Sequence, residues 1–163
     1  MARFTFGAAA LVAVAGVAQG DHLINVFVEM NGANEVPPVV TEATGILTGV
    51  LDTTALTFSF SWDIVDALNG TPTVAHFHRA GVGVNGPVIF DIGTPAGGPP
   101  WPLQGNLVWD MTSADVDDLL AGLIYVNFHT EAHPGGEIRG QIPAPGAAAL
   151  FGIAGLAAAR RRR

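Results

Sequence analysis

The chain has 163 residues, a formal net charge of -7 and no cysteine, which excludes a disulfide framework, a thiolate metal site and a cysteine nucleophile. Five of its seven basic residues, Arg3 and Arg160 to Arg163, lie near the ends, so residues 21–142 set two arginines, Arg79 and Arg139, against all fourteen acidic residues, a net of -12 with no lysine. Such a surface argues against nucleic acid as a partner and favours divalent cations or basic partners, although acidity also keeps an exported protein soluble.

Residues 1–20 begin with Arg3 in a short polar stretch, continue in an apolar run from about Phe6 to Val17 and end in small residues before Asp21. This order predicts a secretory signal peptide, cut by signal peptidase after Ala18 or Gly20. The next segment, 21–142, has the length of one domain and can bury a usable core without staples.

Period-two alternation dominates from His22 onward and predicts an antiparallel all-β fold, a β-sandwich or Greek-key barrel of about eight strands with one short helix. The expected strands are Leu23 to Met30, Gly45 to Leu51, Leu56 to Ile64, Val74 to Arg79, Pro87 to Ile92, Gly105 to Met111, Leu123 to Thr130 and Glu137 to Ile142. The third is the clearest, with Leu56, Phe58, Phe60, Trp62 and Ile64 on one face and Thr57, Ser59, Ser61 and Asp63 on the other. Between the first two strands, Asn34-Glu35-Val36-Pro37-Pro38 reads as an extended loop, because a residue before proline is pushed out of the helical region. Gly93 to Pro102 reads as a long, mobile loop. The helix is expected over Ala114 to Ala121, with Ser113 as N-cap, Asp115, Asp117 and Asp118 in its early turns and Gly122 ending it.

Two strands carry the candidate chemistry. With Ala75 and Phe77 on the core face, His76 and His78 share the opposite one; with Ile124, Val126 and Phe128 on the core face, Tyr125, Asn127 and His129 lie opposite. Alternate residues on one strand are about 6 to 7 Å apart. His76 and His78 are therefore placed to share a metal, and His129 or His133 would complete a three- or four-ligand site for zinc or copper. The same histidines, without a metal, would form a hydrogen-bonded network with Glu137, Asn127 and Tyr125 that orients loops, the more common role for such a group. Glu137 and Arg139 fall on one face of the last strand, and in so acidic a domain Arg139 is expected to form a structural salt bridge, with ligand recognition as the lesser role. No serine-histidine-aspartate grouping, phosphate-binding glycine loop or metalloprotease helix motif is present.

Residues 143–163 run from a Pro-rich break at Pro143 and Pro145 through the apolar stretch Ala147 to Ala159 into four arginines. Thirteen helical residues reach only about 20 Å, short of the ~30 Å hydrocarbon core, so the arrangement predicts transient membrane anchoring, with the arginines held on the cytoplasmic side. The segment resembles the PEP-CTERM sorting signals cleaved by exosortase-type membrane proteases, with Ala144 where that motif has glutamate. The resemblance implies processing by an exosortase-like protease and a place at the cell surface, outer membrane or extracellular matrix of a Gram-negative-type bacterium.

Within 21–142, three clusters stand out: Asn34-Glu35-Val36-Pro37-Pro38; Ala75-His76-Phe77-His78 with Asn85-Gly86-Pro87-Val88; and Tyr125-Val126-Asn127-Phe128-His129-Thr130 with His133-Pro134-Gly135-Gly136-Glu137-Ile138-Arg139-Gly140-Gln141. Together they resemble the CHRD (chordin-type) domain family. The resemblance implies an extracellular domain with no established catalytic activity. The His-x-His strand is also similar to the metal-binding strand of copper-zinc superoxide dismutases, a likeness of one short motif. Two functions follow: a non-enzymatic exported module binding an extracellular or matrix partner, and a zinc- or copper-binding domain that an open coordination position would make a metalloenzyme.

Overall fold

The computed structural model describes residues 22–94, 96, 97 and 102–145. The signal peptide expected at 1–20 and the whole of the tail beyond Pro145 lie outside the described residues, as does part of the loop from Gly93 to Pro102.

Among the described residues eight antiparallel strands form one sheet: β1 (Leu23–Asn31), β2 (Thr44–Asp52), β3 (Thr57–Ile64), β4 (Pro72–Arg79), β5 (Val88–Asp91), β6 (Gln104–Asp110), β7 (Ile124–Thr130) and β8 (Ile138–Gln141). Their spatial order is β5-β4-β7-β8-β1-β2-β3-β6. The sheet curls into a nearly closed barrel, which selects the barrel over the sandwich. Its two edge strands meet through side chains, Phe90 of β5 stacking on Trp109 of β6 with ring centroids 5.0 Å apart.

Alternation builds the core as expected. Phe58, Phe60, Trp62 and Ile64 of β3 point inward with Phe77, Trp109, Val126 and Phe128 from the other strands, and the aromatic rings meet edge-to-face or stacked. Each such buried side chain contributes on the order of 2 kcal/mol from burial alone. Leu56 does not begin β3: it sits in the preceding turn with φ 55, half-buried against the core.

The one α-helix among the described residues, α1 (Ser113–Leu120), leads from β6 to β7 and buries Val116 and Leu119. Its N-cap is Thr112, not Ser113. The Thr112 hydroxyl accepts from the Asp115 N–H at 3.2 Å while the Asp115 carboxylate accepts from the Thr112 N–H at 3.0 Å, a reciprocal capping box. Gly122 follows with φ 72, the left-handed conformation that ends a helix.

Candidate metal centre

β4 and β7 lie side by side, with His76 across from Asn127 and His78 across from Tyr125. Since Ala75, Phe77, Val126 and Phe128 fill the barrel, the alternate residues His76, His78, Tyr125, Asn127 and His129 share the outer face of this pair. One ring nitrogen each of His76, His78 and His129 lies within 4.8 Å of those of the other two. A register shift between Phe77 and His78, where β4 pairs with β5, bends the strand beside the group. His133 is not part of the group. It stands half-buried in the β7–β8 turn, with Nε2 3.5 Å from the Asn69 amide nitrogen.

The alternation implied an exposed polar face, but all seven residues of β7 are buried. Three loops cover it. The loop before β5 is held by Arg139, which donates to Asn85 Oδ1 at 3.0 Å and the Val84 carbonyl at 2.7 Å. The segment after β1 is tied on by the Asn34 amide, donating to the Arg139 carbonyl, and by Asn85, donating to the Val36 carbonyl. The β7–β8 turn completes the cover.

Two rings have their tautomer set by the main chain. His78 Nδ1 lies 2.9 Å from the Gly86 carbonyl, and His129 Nδ1 lies 2.9 Å from the Pro134 carbonyl. A carbonyl only accepts, so Nδ1 carries the hydrogen and the neutral ring keeps its lone pair on Nε2. Burial lowers the pKa of His76, His78 and His129 below the usual imidazole value, favouring the neutral form that ligates metals. His78 Nε2 and His76 Nδ1 are buried with no hydrogen-bond partner. His78 thus shows the division typical of metal-binding imidazoles, one nitrogen donating to a backbone acceptor and the other free.

The surrounding residues brace the group. The Tyr125 ring stacks on His78, with centroids 4.8 Å apart and planes 3° from parallel, and its hydroxyl accepts from the Gly86 N–H at 3.2 Å. The backbone of one residue, Gly86, thus grips both rings. The Arg139 guanidinium lies 3.3 Å from the Tyr125 ring centroid. Arg139 forms none of the ion pairs found among the described residues; these belong to Arg79, with Asp115 and Asp118. The expected salt bridge at Arg139 is therefore replaced by a cation-π contact and two neutral acceptors, because its side chain is drawn over β7 and under the covering loop. Glu137 is fully buried, its carboxylate accepting from the Thr41 hydroxyl, the Asn69 N–H and the Thr130 hydroxyl at 2.7 to 2.8 Å.

Two further residues were not singled out as site residues by the sequence reasoning. Asp91 lies across from His76 on β5, and its charge partly offsets the effect of burial on that ring. Glu35 is buried, and burial pushes its carboxyl up to about 7 despite the opposing effects of Arg139, the Asn127 amide and the Val36 N–H. Pro38 and Val36, with Val82 opposite, line a cleft of about 430 Å³ beside Glu35 and Arg139. No sequence signal marks Asp91, whereas Glu35 is distinguished only by its place just before the apolar, proline-containing stretch Val36-Pro37-Pro38. Pro143 and Pro145, the described part of the expected sorting motif, are exposed.

Residues 26–142 match the family model for the CHRD domain. No curated protein and no solved structure matches the chain.

Proposed function

The chain belongs to the CHRD domain family, and from that premise we propose that it is an exported, non-enzymatic binding module whose binding chemistry is a transition-metal centre of His76, His78 and His129. The observation carrying this reading is the convergence of three neutral imidazoles, each with a nitrogen within 4.8 Å of the others, two of them held by backbone carbonyls through Nδ1. A metal with nitrogen ligands at about 2.0 to 2.1 Å would require modest inward rotation of the rings. Zinc(II) and copper(II) suit an all-imidazole set, and the chain offers no thiolate to select otherwise.

Export and surface sorting are part of the same proposal. Their support is the order of residues at the two ends, the leader-like 1–20 and the Pro-rich, apolar and arginine blocks of 143–163. The partners proposed are signal peptidase, an exosortase-like protease and an extracellular or matrix component.

Calorimetric titration of the full chain with zinc chloride and copper(II) chloride tests the centre. Stoichiometric binding that is weakened at least about tenfold in both His78→Ala and His129→Ala is expected. Absence of binding, or binding indifferent to both substitutions, would sink the proposal.

A further inference from the structure

We infer that Asn127 supplies a fourth donor to this centre, its side-chain carbonyl oxygen, so that the site is a closed three-imidazole, one-amide set rather than a three-ligand site with an open position. The inference rests on the metal reading above and deepens it.

Asn127 sits in the middle of the group: directly across from His76, two residues before His129 on the same face and diagonal to His78. It is buried, and its Oδ1 lies 3.0 Å from His129 Nε2. That contact is not satisfied by the neutral ring. His129 places its one hydrogen on Nδ1, facing the Pro134 carbonyl, so the Nε2 lone pair and the Asn127 oxygen lone pairs confront one another. A cation between two such donors removes the conflict.

Turning the amide over would also remove it, by presenting Nδ2–H to His129, but the other side of Asn127 opposes that orientation. Asn127 Nδ2 and Glu35 Oε1 lie together beneath Gly136, where a Cβ would fall 2.6 Å from the first and 2.3 Å from the second. Glu35 Oε1 is a buried oxygen otherwise without a hydrogen-bond partner, and an amide N–H beside it offers a donor where a carbonyl oxygen would not. Glu35 is therefore a positioning residue that keeps the Asn127 oxygen aimed at the histidines. Gly136 is what permits the approach, since its φ of 123 and the contacts just described exclude a side chain. Of the four buried polar side-chain atoms without hydrogen-bond partners among the described residues, two, His78 Nε2 and His76 Nδ1, belong to the same group. Oxygen and imidazole donors at about 2.0 to 2.2 Å are ordinary for zinc and acceptable to copper(II).

The test uses the full chain loaded with one equivalent of copper(II) chloride and pulsed EPR in deuterium oxide, which detects an exchangeable equatorial water. The parent protein is expected to show none. Asn127→Ala is expected to admit a water and to lose about tenfold or more in copper and zinc affinity, and Asn127→Asp, which keeps an oxygen donor, to restore the water-free spectrum. An equatorial water in the parent overturns the role of Asn127 while leaving the three-histidine centre standing, and so does unchanged affinity in a folded Asn127→Ala. Failure of the parent to bind either cation overturns the metal reading and this inference with it. The parent measurement decides the matter even where the variants do not fold.

Discussion

Individual residues around the covered face of β4 and β7 are under opposing electrostatic demands. Glu35 titrates at about 7 in the fold against 4.5 in the unfolded chain, so between those values the folded state holds the extra proton and stability falls as pH rises through the window. His76, His78 and His129 titrate below 6.5, so the unfolded state takes up more protons as pH falls below that value and stability is lost toward acid. Glu35→Gln removes only the first effect. Its melting temperature is expected to exceed that of the parent at pH 8 and to lose that advantage at pH 4, where both side chains are neutral; an equal difference at the two pH values would contradict the assignment. Of these residues, the histidines were legible in the sequence because alternation on β4 and β7 puts them on one face. Glu35 was not, since its burial depends on Arg139 and Gly136, more than 100 positions away along the chain.

At the scale of elements, each strand was visible as a run of alternating residues, and boundary differences came from local hydrogen bonding. Leu56 fits the apolar alternation of β3 but adopts a left-handed turn conformation, its carbonyl accepting from the Met111 N–H. The helix start moved by one residue for a similar reason: Ser113 and Thr112 both have capping hydroxyls, and only Thr112 lies three residues before Asp115, as the reciprocal box requires. Thr112→Ala is expected to cost about 1 kcal/mol and Ser113→Ala markedly less. Urea unfolding of the two variants checks this, and equal losses would remove the assigned cap. The elements without side-chain periodicity, the loops after β1 and before β5, gave no hint in sequence that they fold back over β7.

The whole molecule depends on contacts between distant parts of the chain. β4 pairs with β7 and β1 with β8, while the sheet edges β5 and β6 close on each other through Phe90 and Trp109 rather than through a backbone ladder. Trp109 also stacks on Phe77, so Trp109→Ala is expected to destabilise the fold by about 3 to 5 kcal/mol. A loss below about 1 kcal/mol in urea unfolding would show that closure rests elsewhere. The sequence by itself determined the all-β class, the strand positions, the inward residues and the pairing of His76 with His78, because these follow from a side-chain period of two. Only the tertiary structure decided that the sheet is one barrel, that His129 rather than His133 joins the pair, that Arg139 stacks on Tyr125 instead of meeting a carboxylate, and that the polar face is covered. Those outcomes depend on which strands become neighbours and where the loops settle, and a pattern local to each segment carries no record of either.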